Sequence, residues 1–421
     1  MTKGIIISAP SSASGKTTIT LGLLRALKRA GMNIQSAKSG PDYIDPRFHA
    51  AASGSECVNL DAWAMNHDRI RALAKSHAPL IIEGAMGLFD GAPPHGKGAT
   101  ADLATILNLP VILVLDVASQ AQSVAAVALG FANLRPDVKI AGLILNKVGS
   151  PRHEAMLRGA LDPIGIPVLG AVYRQTNLET PSRHLGLVQA QERDDLEAFL
   201  ESAADIVEQS VDITQLMSLA SLANAETTDH PRLPPPAQSI AIARDHAFSF
   251  AYPHLLADWR ALGAEISFFS PLNDEAPRQA DLVFLPGGYP ELHAGVLAQA
   301  TTFKKALKNA SQVYGECGGY MTMGEGLVDA DGHRHEMLGL LNLETSFAKR
   351  KLHLGYRRLI PNAIWNGTLS GHEFHYASTL KAVGDPLFSA KDAAGEDLQN
   401  LGLINGPHAG SFAHIIDRQD S

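Results

Sequence analysis

The 421-residue sequence has only two cysteines, Cys57 and Cys317. Neither their number nor their placement makes a disulfide framework or a zinc site, so a reducing, cytoplasmic compartment is expected. No apolar run reaches the ~18 residues that cross a bilayer, and no membrane partner is expected. Met1–Ser8 enters a strand pattern at once and not a signal-peptide pattern. Long runs of one charge sign are missing too. The balance is 35 Lys+Arg against 43 Asp+Glu, a formal net charge of -8. That argues against a polyanion such as nucleic acid as the partner. There is no internal repeat, and no low-complexity tract beyond one proline-rich segment.

The rest is an ordinary globular composition, 45% hydrophobic and 19% charged. At ~100–200 residues per domain, the length allows two to three domains. The first half alternates short Val/Ile/Leu runs with helical patterns. Strands are predicted at Gly4–Ala9, Asn33–Lys38, Pro79–Gly84, Pro110–Asp116, Lys139–Val148 and Pro167–Val172, and a helix at Lys16–Ala30. Continuous apolar runs of this kind suit strands covered on both faces, and the alternation predicts a parallel sheet with crossover helices. A helix-prone stretch runs from Gln189 to about Ala225. The polar run Thr227–Pro236 follows and ends in three adjacent prolines, which reads as a semi-rigid linker. The pattern then restarts with strands at Ser239–Arg244, Ala264–Phe269, Asp281–Leu285 and Gln312–Gly315. From about Met337 the segments are shorter and β-like. Two α/β domains are therefore expected, 1–230 and 238–421.

Ser8-Ala9-Pro10-Ser11-Ser12-Ala13-Ser14-Gly15-Lys16-Thr17-Thr18 joins the first strand to the first helix. That context makes a phosphate-binding loop, with backbone N–H groups and a helix N-terminus facing the anion. Ser14 to Thr18 would line the phosphates of ATP, with Lys16 on the β/γ-phosphates and Thr17 on Mg²⁺. Pro10 replaces the motif's first glycine. Glu83 ends an apolar strand and points to the cleft of such a sheet, where it could hold the metal ion. Asp42 and Asp45 lie in a Pro/Gly turn. They could bind metal, steer an acceptor carboxylate, or simply cap the turn. Asn146-Lys147 is similar to the base-reading pair of guanine-binding P-loop proteins, but Gly149 stands where their aspartate would be. Adenine is the expected base, with Asn146 at the nucleotide.

Gly315-Glu316-Cys317-Gly318-Gly319 places a cysteine on a tight strand–helix turn. Small neighbours let such a turn expose a thiolate, and the N–H after the nucleophile becomes an oxyanion donor. The helix N-terminus is expected to lower the thiol pKa. Gly287 and Gly288, at the end of an upstream strand, offer a second donor, taken here as Gly288. A histidine must supply the base. His372, His375, His408 and His414 are candidates, and spacing does not choose among them. Cys57 reads as structural.

Taken together, the motifs resemble the cobyrinic acid a,c-diamide synthases of corrin biosynthesis, including the hydrogenobyrinic acid branch. They are Ser8–Thr18, Lys38–His49, Asn59–Asp61, Glu83–Gly91, Ala243–Phe248, Phe269–Leu272, Pro286–Glu291, Glu316–Gly319 and Gly371–Tyr376, and they span nearly the whole chain. The resemblance implies a dethiobiotin-synthetase-like P-loop domain followed by a class I glutamine amidotransferase domain. It implies ATP, Mg²⁺ and L-glutamine, and amidation of the a and c carboxylates of a corrinoid. It makes Cys317 the nucleophile and His414 the base, with Asp42 and Asp45 at the carboxylate-activation site. Thr17, Asp45 and Glu83 would hold the metal. It also implies a homodimer as a possible assembly. Triad glutaminases place a glutamate two residues after the histidine, whereas Ile416 stands there here, which leaves the third triad member unassigned. Rival expectations are an amidotransferase for another tetrapyrrole acid, a ParA-like ATPase with an inactive glutaminase domain, and a dethiobiotin-type carboxylase with an appendage.

Overall fold

The computed structural model describes residues 2–174, 190, 193–224, 230 and 232–419. The expected helix start at Gln189, and linker residues Thr227–Asp229 and Pro231, lie outside them. The chain divides into two compact units, Met1–His230 and Pro231–Ser421.

The first unit is built on β1 (Lys3–Ser8), where Ile5, Ile6 and Ile7 are fully buried. Burying one such side chain stabilises the fold by about 1.5–3 kcal/mol. The other strands are β2 (Gln35–Ser39), β3 (Cys57–Leu60), β4 (Leu80–Glu83), β5 (Val111–Asp116), β6 (Ile140–Val148) and β7 (Val168–Tyr173). They form a parallel sheet in the order β3-β2-β4-β1-β5-β6-β7. β8 (Ser221–Leu222) joins β1 antiparallel. β3 and β8 have no counterpart in the expected strands. Asn59 interrupts the apolar run of β3, and β8 is only two residues long. The stretch read as helix-prone holds helices Leu196–Ser210 and Ile213–Ser218 before that strand.

Helix Lys16–Arg29 packs against Leu196–Ser210 at close range. A Cβ on Gly22 would lie 2.4 Å from the Ala203 carbonyl oxygen. Arg25, buried in the same seam, reaches Glu197 and Glu201 at 2.9 Å each. The carboxyl ends of β1, β2 and β4 lie side by side, with Ile7 and Lys38 both in register with Glu83. Ligands bind at that edge of open α/β sheets.

The second unit has a sheet of β9 (Ser239–Ala243), β10 (Glu265–Phe269), β11 (Leu282–Leu285) and β12 (Val313–Glu316). Next along the chain come β13 (Gly326–Val328), β14 (Arg334–Glu336), β15 (Leu343–Ser346), β16 (His353–Pro361), β17 (Leu369–His375), β18 (Ser378–Ala382) and β19 (Phe388–Lys391). The last strands are β20 (Leu403–Asn405), β21 (His408–Ser411) and β22 (His414–Arg418). The main sheet runs β10-β9-β11-β12-β21-β20, parallel except for β20. A four-stranded antiparallel sheet, β19-β16-β17-β22, carries the histidine-rich strands. Because β22 follows β21 after two residues, the ends of β12, β17 and β22 are brought together.

Candidate functional sites

In the first unit the loop after β1 is held by its neighbours. Gly15, at φ 84°, occupies the left-handed region that glycine adopts without strain. A Cβ there would lie 2.1 Å from Asn146 Nδ2. That Asn146 amide donates to the Ser14 carbonyl at 2.9 Å, so it braces the loop. Lys147 donates to Asp116 at 2.6 Å and to the Ala13 carbonyl at 3.2 Å. Ser14 donates to the Ser11 carbonyl, and Thr18 lies in the first helical turn. Lys16 is buried, and burial followed by the nearby Lys38 lowers its pKa.

Below the loop a charged cluster closes around Glu83. Thr17 Oγ1 donates to Glu83 Oε1 at 2.5 Å. Lys38 Nζ lies 2.9 Å from the same oxygen and 2.5 Å from Asp45 Oδ2. His49 Nε2 meets Glu83 Oε2 at 2.6 Å, and Cys57 Sγ lies 3.6 Å from His49 Nδ1. Burial opposes every charge here, and for Glu83, Lys38 and His49 the partners outweigh it. Glu83 is held below the usual carboxylate range by Lys38 and His49, Lys38 is raised by Asp45 and Glu83, and His49 is raised to about 10 by Cys57 and Glu83. Asp42 takes the turn-capping option left open by its sequence, accepting from the N–H groups of Ile44 and Asp45. Burial, and then Asp45, raises it to about 7. Thr17, Asp45 and Glu83 offer hard oxygen donors, which fit Mg²⁺, and here they gather round a cation, Lys38. The reading of the sequence gave no role to Lys38, His49 or Asp116. Lys38 ends β2 beside the end of β4, a pairing that the local sequence does not carry.

In the second unit Cys317 has φ 46° and ψ -103°, a strained turn between β12 and helix Gly318–Met323. Strain of this kind persists only where the surroundings enforce it. A Cβ on Gly319 would lie 1.8 Å from the Leu285 carbonyl oxygen, and one on Gly318 would lie 3.0 Å from Gly288 N. The Gly318 and Gly288 backbones are thus neighbours beside the thiol. A Cβ on Gly287 would lie 2.2 Å from His414 Cε1. Cys317–Gly318 and His414 therefore flank the same Gly287–Gly288 turn.

The expected low thiol pKa is corrected. Burial, and then the carboxylate of Glu291, push the Cys317 thiol up, and the Gly318 N–H that bonds it does not compensate. The helix that follows has only six residues. Burial also holds His414 down at about 3, so thiol and imidazole rest neutral. Of the other candidate bases, His372 stacks on His414 at 5.0 Å between ring centroids and meets Tyr252 Oη at 3.0 Å. His375 stacks on Phe412 at 3.8 Å and pairs with Glu373 at 3.7 Å. His408 begins β21, where burial alone lowers its pKa. The backbone carbonyl of Ile416 accepts from His254 at 2.8 Å, and its side chain is fully buried. Position 416 belongs to the core.

Two family models match the chain. A CobQ/CobB/MinD/ParA nucleotide binding domain covers residues 5–188. A CobB/CobQ-like glutamine amidotransferase domain covers 239–421. The architecture is accordingly an α/β nucleotide-binding unit with a parallel sheet, followed by a glutamine amidotransferase unit. Among curated proteins, the hydrogenobyrinate a,c-diamide synthase of Brucella anthropi is 57% identical over 99% of this chain and 98% of its own. The proteins of that name from a Sinorhizobium species and from Rhodobacter capsulatus are 54% and 52% identical, each over 98% of both chains.

Proposed function

The chain belongs to the hydrogenobyrinate a,c-diamide synthase family, and on that premise we propose that it amidates the a and c carboxylates of hydrogenobyrinate, using glutamine and ATP. The observation that carries this is the strained Cys317 elbow beside His414, on a chain that also bears a braced phosphate loop.

Cys317 attacks the glutamine carboxamide while His414 takes its proton. Burial disfavours charge on both groups, so proton transfer accompanies attack. The N–H groups of Gly318 and Gly288 hold the oxyanion. His414 returns the proton to the leaving ammonia, and water releases glutamate from the thioester. In the first unit the acceptor carboxylate takes the γ-phosphoryl group of ATP and so gains a leaving group. Lys16 and the N–H groups of Ser14 to Thr18 neutralise charge on the phosphates. Thr17, Asp45 and Glu83 would hold Mg²⁺, which supplies further neutralisation there. Ammonia then displaces phosphate to give the amide.

The test is product mass with hydrogenobyrinate, ATP and Mg²⁺, using glutamine or ammonium as nitrogen donor, for wild type and Cys317→Ala. Two amide groups gained, with the variant active on ammonium alone, is the expected result. A variant that still uses glutamine would remove Cys317 from the mechanism. An unmodified hydrogenobyrinate would remove the substrate.

A further inference from the structure

We propose that Glu316 is the positioning residue for His414, the role that a glutamate two residues after the histidine would otherwise fill. The inference rests on the reading of Cys317 and His414 as nucleophile and base. Glu316 ends β12 and immediately precedes Cys317. Its Oε2 faces His414 Nδ1 at 3.7 Å, with both side chains buried. Its Oε1 is fixed by two donors, Tyr314 Oη at 2.9 Å and the backbone N–H of Ile415 at 3.2 Å. One strand end thus carries the nucleophile, and the carboxylate beside it is tied to the strand that bears the base. Nδ1 is the nitrogen that must keep its proton if Nε2 is to accept one from the thiol. At 3.7 Å the two atoms are beyond hydrogen-bond distance, and catalytic hydrogen bonds are often long in the free enzyme and tighten with substrate.

Other charged groups near His414 are differently engaged. Glu373, on β17, favours an imidazolium at His414 without touching it, and its oxygens are engaged by Arg357 at 2.6 Å and His375 at 3.7 Å. His372 and His375 are not carboxylates, and His375 disfavours an imidazolium at His414. Burial raises Glu316 to about 8, so the carboxylate form that accepts from Nδ1 grows as pH rises through that value. Glutamine turnover should rise with it.

Glu316→Gln is the direct test. Its amide retains an acceptor for Tyr314 and Ile415 but turns an N–H donor toward Nδ1, which moves the imidazole proton onto Nε2. The expected kcat with glutamine falls by about 10²- to 10⁴-fold, the range for a wrong-tautomer base. KM is expected to stay, the alkaline rise to vanish, and ammonium-dependent amidation to persist. Tyr314→Phe loosens Oε1 only and should lower glutamine kcat by about two- to tenfold, as loss of one hydrogen bond does. Wild-type kcat and pH profile in Glu316→Gln would overturn the proposal. Should that variant also lose ammonium activity, an unchanged Tyr314→Phe would overturn it instead. Cys317→Ala run alongside separates the two readings, because glutamine turnover in that variant would sink the site itself.

Discussion

The Lys38 ammonium lies 2.9 Å from the Glu83 carboxylate, and only 3% and 0% of the two side chains are exposed. Lys38 also holds Asp45. A cation therefore bridges Asp45 and Glu83, and Thr17 donates to the same Glu83 oxygen that the cation meets. Removing it leaves the buried Glu83 and the partly exposed Asp45 with Lys16 and His49 as the remaining counter-charges.

Lys38→Met should accordingly lose stability by about 3–5 kcal/mol, the scale for breaking a buried ion pair. If Thr17, Asp45 and Glu83 form a metal site, excess Mg²⁺ should restore part of that loss. Thermal unfolding with and without Mg²⁺ is the check. The variant should gain more in its melting temperature than wild type does. An equal gain in both proteins would show that Mg²⁺ does not enter this cluster.

Gly287→Ala tests how tightly the base is placed. The new methyl would lie 2.2 Å from His414 Cε1, so the ring must shift. A displacement near 1 Å costs about 10²-fold in rate, and that loss is expected with glutamine as donor. Amidation with ammonium, which needs neither Cys317 nor His414, should be unchanged. Steady-state rates with the two donors decide the matter, and equal losses would mean a folding defect.

Much of this arrangement was legible before the structure. The apolar runs of β1, β4, β5 and β6 announce strands covered on both faces, and the glycines round Cys317 announce an elbow. Two kinds of information were not legible. β3 was hidden because Asn59 breaks its apolar run, and Asn59 is there to donate to the Gly40 and Asp42 carbonyls. The partnership of Glu316 with His414 depends on how β12, β21 and β22 are placed side by side, and no local pattern encodes that register. Lys38 was similarly silent, because a lysine at a strand end reads as a solvated charge until its neighbours are known. The thiol pKa was misjudged for a related reason. The turn suggests an activated cysteine, whereas burial among Glu291, Glu316 and Glu373 decides otherwise.

Asn146→Ala separates bracing from base reading. The Asn146 amide is committed to the Ser14 carbonyl. Losing it leaves a carbonyl unsatisfied, at about 1–3 kcal/mol, and loosens the loop that cradles phosphate. Nucleotide affinity should fall on the order of tenfold, since about 1.4 kcal/mol corresponds to one decade. The loss should be equal for ATP and GTP in a binding titration. A selective loss for one nucleotide would show that Asn146 contacts the base.

The buried Glu316 also gives stability a pH signature. An ordinary glutamate has a pKa of 4.5, and burial raises this one to about 8. Between those values the native state keeps a proton that the unfolded chain has released. Stability therefore falls as pH rises through that window, with a limiting slope of about 1.4 kcal/mol per pH unit for one proton. Below 4.5 both states are protonated, and above 8 both are ionised, so the dependence levels off on each side. Glu316→Gln carries no titrating group and should lack this component. The difference in melting temperature between variant and wild type should thus grow in the variant's favour from pH 5 to 8. Differential scanning calorimetry across that range measures it while cancelling the other buried groups common to both proteins. A flat difference would mean that Glu316 is already ionised in the native state. The carboxylate would then accept from His414 Nδ1 throughout the range, and the alkaline rise in glutamine turnover would have to come from another group.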